Sequence, residues 1–419
     1  MARFGVGGQW EAEIKLGGVS LALTPNTLKQ LIISSSVTKP MPTCTFTVVD
    51  QGAEFLTNVG VADGMPLSIM MGDGKGGEPF VGDFRVVGGP ADAHYTTKGV
   101  VFTVNGMLNK MGFLRKVTNT VKKDTSAGMI STLAREAGIS KVDTDPTSDK
   151  MAWLPNGMPI AKRIAEIASR GWANPQSAMV HVLNEDGTFK YKDLSKLATA
   201  SAKRQFGGMY PDAGIHGSVI PVLQFRAMSL QGLYNNAAAY GATAFVEGLS
   251  GKTGFGVGDV LSLVDSGSGG DLVDVITSAL QGNFGNFSTL MTGAGLNISG
   301  DIQKAVGSIG AKQYATPLSS GNTHPQYHRA KVQNVRGRAA FGNDVVLLSN
   351  QACGLSNLDN VFYHCTNPWS GADIPMFSGD YIITAKDMII TTIGGKAGYG
   401  YFEKVTITNN GGGAQRPTS

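Results

Sequence analysis

The chain is poor in charge, in cysteine and in long apolar runs. Of its 419 residues, 35 are Lys or Arg and 31 are Asp or Glu, so only 16% are charged, against roughly a quarter in an average domain. The formal charge of +4 is small and unclustered, which argues against nucleic acid as a specifically bound partner. Three cysteines, Cys44, Cys353 and Cys365, form an odd count without metal-ligand spacing. A secreted disulfide framework would use more of them, so reduced thiols and cytosolic synthesis are expected. No run of 18 apolar residues is present, so no transmembrane helix is expected. The opening "MARFGVGGQWEAEIKLGG" lacks the apolar centre of a signal peptide.

What is abundant is glycine, at 57 residues, about twice its usual share of roughly 7%. Hydrophobic residues reach 42%, enough for real cores in two to four domains. Low charge with much glycine suits a protein covered by neighbours in an assembly. Extensive loop would give the same composition.

Four regions follow one another. Residues 1–115 carry short β-branched segments, "LIISSSVT" and "TCTFTVVD", divided by Pro40 and Pro42, then "PLSIMMGDGKGGEPFVGDFRVVGG" and "GVVFTVNGML". Such spacing predicts an antiparallel sandwich or barrel. Residues 116–200 read as an α/β unit. A first helix starts at Asp124, Thr125 or Ser126, sets Met129, Ile130, Leu133, Ala134 and Ala137 on one face, and stops at Gly138. A second starts with Pro159 in its first turn, buries Ile160, Ile164, Ile167 and Ala168, and ends with Gly171 as its C′ residue. "AMVHVL" and "TFKYK" flank an Asp186-Gly187 hairpin turn. Residues 201–227 and 326–419 return to β character in "FGNDVVLLSN", "DYIITAKDMIITT" and "YFEKVTITNN". Between them, residues 228–325 hold 9 charged and 18 glycine residues among 98. This stretch reads as an insertion with one short helix from Asp271.

Candidate chemistry is thin. His324 and His328 have metal-pair spacing, but Pro325 disfavours a helix there and no carboxylate lies within ten residues. His364 and Cys365 are adjacent on a predicted strand and so point to opposite faces, which separates a nucleophile from its base. Cys365 and Cys44 read as buried structural cysteines. "GDGKGG" at 72–77 and "GFGVGD" at 254–259 lack the ending of a phosphate loop and read as turns. A cell-wall hydrolase needs two carboxylates across a sugar cleft. Glu136 beside Arg135, and Glu166 beside Arg163 and Arg170, read instead as surface charges. Lys122, Lys123, Arg135, Lys141, Arg163 and Arg170 form a solvated basic face without interleaved aromatics. No catalytic, cofactor or metal site is assigned.

The run "TSAGMISTLAREAGI", then "TDPTSDKMAWLPNGMPIAKRIAEIASRGWANP", then "VHVLNEDGTFKY" resembles the central baseplate hub proteins of contractile-tailed bacteriophages, and the related hubs of type VI secretion spikes and contractile injection particles. The family's helix, Trp-bearing loop, second helix with a Gly-Trp break and Asp-Gly hairpin fall on Trp153, Gly171, Trp172, Asp186 and Gly187. The segments "FGNDVVLL" and "SGDYIITAKDMI" resemble its last barrel strands.

The resemblance implies a mainly β, α+β fold with two tube-type antiparallel β-barrel domains, an intervening α/β unit and the Gly-rich insertion. It implies a structural virion protein: a homotrimer placing six barrels around a DNA channel. It would join the sixfold tail tube, or its initiator, to the threefold central spike. Wedge proteins would surround it, and tape-measure protein and DNA would pass through the lumen without specific binding. On this reading Ser and Thr of "ISSSVTK" face an aqueous bore while Leu31, Ile33 and Val37 face the core, and copies of the chain complete one another's sheets. Another tail-tube or tube-initiator component, a tail-borne cell-wall hydrolase, and a membrane-binding insert are the competing readings.

Overall fold

The computed structural model describes residues 10–227 and 344–409, apart from 22, 73–78, 118–121, 154–156, 174–176, 178, 198–199, 210–218, 350–352, 368–369, 371, 373, 375–376 and 393–398. The insertion at 228–325 with its helix from Asp271, the histidines His324 and His328, and the glycine-rich stretch at 254–259 lie outside the described residues, as does most of 72–77.

The N-terminal strands are β1 (Glu11–Leu16), β2 (Val19–Ser20), β3 (Leu28–Ser36), β4 (Thr43–Asp50), β5 (Pro66–Gly72), β6 (Phe80–Val86), β7 (Ala91–Thr96) and β8 (Gly99–Leu108), with a short helix α1 (Glu54–Asn58) after β4. Alternation drives them: Val100, Phe102, Val104 and Leu108 of β8 are buried while Val101, Thr103, Asn105 and Met107 between them are not. Leu31 and Ile33 of β3 are buried in the same core, as expected from the sequence. Val37 is buried too, but in a separate small cluster with Val180, Val182, Leu358 and Ile382.

The α/β unit follows a 3₁₀ turn at Met111–Leu114. It comprises β9 (Lys122–Asp124), α2 (Ser126–Glu136), β10 (Val142–Thr144), β11 (Met151–Trp153), α3 (Ile160–Arg170), β12 (Met179–Leu183), β13 (Phe189–Asp193) and a single turn, α4 (Leu194–Leu197). Thr125 is the N-cap of α2, its side chain accepting from Gly128 N at 3.1 Å. Pro159 sits one residue earlier than expected, at the N-cap of α3.

Gly171 is a correction. Its φ of −68° and ψ of 145° are extended, not left-handed, so it ends α3 for another reason. A Cβ there would collide with the Tyr191 hydroxyl and crowd Ser126 Cβ at 2.9 Å. The glycine lets β13 pass directly under the helix end.

The C-terminal strands are β14 (Arg204–Met209), β15 (Val219–Ala227), β16 (Asp344–Ser349), β17 (Asn360–His364), β18 (Gly379–Thr392) and β19 (Tyr399–Asn409). With β1 to β8 they make a 14-stranded sheet among the described residues. Its hydrogen-bonded pairings trace two circuits. The second runs β14–β15–β16–β19–β18–β17 and back to β14. β14 lies parallel to both neighbours, an exception to the antiparallel pattern. The first runs β1–β5–β6–β8–β4–β3–β18–β19 and returns to β1 through one bridge, Trp10 to Tyr399. Within the chain, the long β18–β19 hairpin contributes strands to both circuits.

A bulge between Ile383 and Ala385 makes the sharing possible. It flips the side-chain parity of β18. Before it, Tyr381 and Ile383 enter the second core with Val405 and Ile407. After it, Met388 and Ile390 enter the first core with Tyr399 and Tyr401. No helix of the described residues is long and apolar enough to cross a membrane.

Candidate functional site: a hydroxyl-lined sheet face and a buried ionic junction

The outward face of β8, β4, β3 and β18 is unusual in composition. Cross-strand register aligns Thr103, Thr47, Gln30 and Thr391 in one row, Asn105, Thr45, Ile32 and Ile389 in the next, then Met107, Thr43, Ser34 and Asp387. Hydroxyls bond across the strands: Thr47 Oγ1 lies 3.1 Å from Thr103 Oγ1, and Thr45 Oγ1 donates to Asn105 Oδ1 at 3.0 Å. The one charge in these rows, Asp387, stands opposite Lys404 of β19. The result is a wide surface with a single charge, on which Ile32, Ile389 and Met107 interrupt the polar side chains. The outward face of β1, β5 and β6, in the same sheet, is different: it carries Glu11, Glu13, Lys15, Asp83 and Arg85, with Met70 and Val81 paired and exposed between them.

The α/β unit is clamped to both circuits by buried charge. Lys386 of β18 is 6% exposed and lies 3.1 Å from Glu185 and 3.3 Å from Glu403, which is fully buried. Burial alone would lower the Lys386 pKa, but Glu403 and Glu185 outweigh it and hold the ammonium protonated, well above the usual lysine range. Both carboxylates accept further hydrogen bonds. Tyr401 Oη donates to Glu403 at 2.6 Å, Cys353 N to Glu403 at 2.8 Å, and Ser35 Oγ to Glu185 at 2.7 Å. Asn357 Nδ2 donates to Ser35 Oγ at 2.8 Å and to Asn184 Oδ1 at 3.1 Å. One network therefore joins β3, β18, β19, the 353–359 loop and the hairpin turn of the α/β unit.

That turn explains the Asp186-Gly187 signal. Gly187 N donates to Asn184 O at 3.0 Å and Thr188 N to Asp186 Oδ1 at 2.9 Å, so the turn holds Asn184 and Glu185 pointed at the junction. Beside it, Lys190 and Lys203 each approach Asp359 Oδ1 at 2.7 Å. Burial would raise the Asp359 pKa, yet hydrogen bonds from Lys190 and Lys203 prevail and hold it below 3.8. At the start of α2 the balance goes the other way. Asp149 accepts from Ser126 N and Oγ, but burial outweighs these bonds and raises its pKa.

The residues singled out for chemistry do not converge. His364 faces the ring of Phe362 at 4.5 Å between centroids, whereas Cys365 packs against the second core, half-buried rather than fully buried. Cys44 is buried in the first core, and burial pushes its thiol pKa up to about 12. Glu166 meets Arg163 at 2.6 Å and Arg170 at 3.3 Å. Arg163 is itself 5% exposed, so it is a packed residue and not part of a solvated basic face. Arg135, Lys141 and Lys123 are exposed, as expected. Trp153 closes β11, and Trp172 O accepts from Ser148 N at 2.9 Å. The junction residues were missed from sequence, although Lys386 and Glu403 carried a signal. Each is a charge at an inward position of a strand that alternates apolar residues, beside Met388 and Ile390 in one case and Tyr401 and Val405 in the other.

Comparison with known proteins is informative at the level of fold. No protein-family model matches the chain, and no curated protein sequence does either. Among solved structures, the 43 kDa tail protein of prophage MuSo2 from Shewanella oneidensis aligns over 96% of this chain and 99% of its own, with 11% identity and a TM-score of 0.51. The tail protein from Neisseria meningitidis MC58 aligns over 95% and 96%, with 9% identity and a TM-score of 0.47. The Francisella PdpA-VgrG complex in its half-lidded form aligns over 96% of this chain and 58% of that chain, with 9% identity and a TM-score of 0.38. The fold is therefore a mainly β, α+β fold shared with a phage tail protein, in agreement with the resemblance seen in the sequence.

Proposed function

We propose that this chain is a structural tail protein of a phage particle, acting as a baseplate hub. Three copies form a ring, each contributing two β units, and the ring joins a sixfold tail tube or tube initiator to a threefold central spike. The hydroxyl-lined face of β8, β4, β3 and β18 lines the bore. This face is the observation that carries the reading. A polyanion or an unfolded tape-measure chain slides over neutral, hydrated hydroxyls without a basic surface to hold it. Within each chain the hairpin β18–β19 locks both β units together, so the ring is assembled from rigid blocks by face and edge packing. The α/β unit, clamped through Glu185 and Lys190, stands outside as a bracket for wedge proteins. The role requires no catalysis, and Glu166, bound by two arginines, is poorly placed as a hydrolase acid.

Mass photometry of the assembled protein checks the stoichiometry, and three copies are expected. An image of the labelled particle should place Thr45 and Thr103 at the bore. Six copies per ring would favour a tube component, and a bore lined by β1 and β5 would sink the assignment of the channel face.

A further inference from the structure

The 3₁₀ turn at Met111–Leu114 carries a surface that neither the bore nor the junction uses. In a 3₁₀ turn residues i and i+3 eclipse, which sets Met111 and Leu114 on one side of the turn, while Phe113 between them is buried. Phe113 is 2% exposed and Met111 and Leu114 are each 46% exposed. The turn is held firmly. Phe113 N donates to Lys110 O at 2.8 Å and Arg115 N to Gly112 O at 3.1 Å, while Ile160 N at the start of α3 donates to Arg115 O at 2.9 Å. Gly112 lies against the backbone of Ala137, where any Cβ would collide, so the turn is seated on the end of α2.

The surroundings are basic. Lys110 and Lys116 flank the turn, and Arg115 reaches Glu136 O at 3.3 Å, beside exposed Arg135. Lys110 Nζ donates to Gly138 O at 3.4 Å, and its Cε lies close to the Asp186-Gly187 turn, where exposed Lys141 accepts from Phe189 N through its carbonyl. Against these five cations stand Glu136, Asp186 and exposed Asp83, whose carbonyl accepts from Asn109 N just before the turn; both Asp186 oxygens already accept from Thr188. An apolar pair on a rigid turn within a cationic rim has the anatomy of a protein interface.

We infer that this turn is a docking site for an acidic protein segment whose apolar side chains cover Met111 and Leu114. Charge complementarity selects the occupant: a second copy would bring the same basic rim and be repelled. The inference stands whether or not the tail reading holds.

The test is fluorescence anisotropy of the full chain with a labelled amphipathic helix built from Glu, Ala and Leu. Its controls are a scrambled peptide of the same composition and a version with Lys replacing Glu. Binding is expected only for the amphipathic acidic peptide, weakening about tenfold in a Met111→Ser/Leu114→Ser double variant and severalfold in Lys116→Glu. Circular dichroism confirms that these surface variants remain folded. No binding, equal binding of the scrambled peptide, or unchanged affinity in the folded double variant would overturn the proposal. So would a concentration-dependent dimer abolished by the double variant, which would make a second copy the occupant.

Discussion

The two strand circuits share a hairpin yet close in different ways. In the second every neighbouring pair of strands is hydrogen-bonded, with register shifts on both sides of β15, and its core includes Phe206, Val222, Val361, Tyr363 and Ile407. The first meets at a seam: Trp10 N reaches Tyr399 O at 3.4 Å, a long single rung. What strengthens that seam is packing. Trp10 stacks on Tyr401 with ring centroids 3.8 Å apart and planes at 13°. The N-terminal β unit therefore depends on strands more than 350 residues away in sequence, as the pairing of Gln30 with Thr391 shows. Contacts so distant form late because loop closure opposes them. The hairpin thereby couples the two β units through shared strands.

That comparison can be broken at the seam. Trp10→Ala should cost about 3–5 kcal/mol, the usual loss for a large buried aromatic. Hydrogen exchange should show amides of β1 and β5 opening more than those of β14 and β17. Equal opening in both circuits would show that the seam is not the weak point. Next in size is Lys386→Met, which strands Glu185 and Glu403 in the interior. A loss of ~3 kcal/mol in denaturant unfolding is expected, and Glu403→Gln in the same background should recover part of it.

A smaller effect sharpens the role of the junction. The folded-state pKa of Asp359 lies below its ordinary 3.8, so the folded protein releases that proton more readily than the unfolded chain does. Its contribution is complete above 3.8 and disappears as pH falls through the depressed value. Asp359→Asn should therefore cost about 2 kcal/mol at neutral pH, and the gap to wild type should close in acid. A gap independent of pH would remove the carboxylate from the account. The smallest effect belongs to the hydroxyl-lined face: Thr45→Val and Thr103→Val should change stability by no more than about 0.5 kcal/mol, because that face is not core. A larger loss on thermal melting would mean that these threonines are structural.

Local signals were the readable ones. Thr125 caps α2 because its hydroxyl accepts from a free backbone N–H, which needs only the next three residues. The Asp186-Gly187 turn and the alternation of Leu31 and Ile33 are equally local. Arg163 and Gly171 show where such reading stops. Arg163 lies on a helix whose periodicity does not reveal what covers it, and Gly171 obeys a hydroxyl from Tyr191, twenty residues onward. Of the candidate site, the Ser and Thr content of the early strands was visible, but its continuation through Asn105 and Thr391 required the register between distant strands.

The order of amino acids by itself determined the helices, the turns and the faces of individual strands, since each depends on steric and hydrogen-bonding choices within a few residues. Only the tertiary structure decided which strands are neighbours, that β18 and β19 serve both circuits, and that Lys386 and Glu403 meet inside. Those outcomes rest on pairings and charge contacts between residues far apart in the chain, and no local preference encodes a partner that distant.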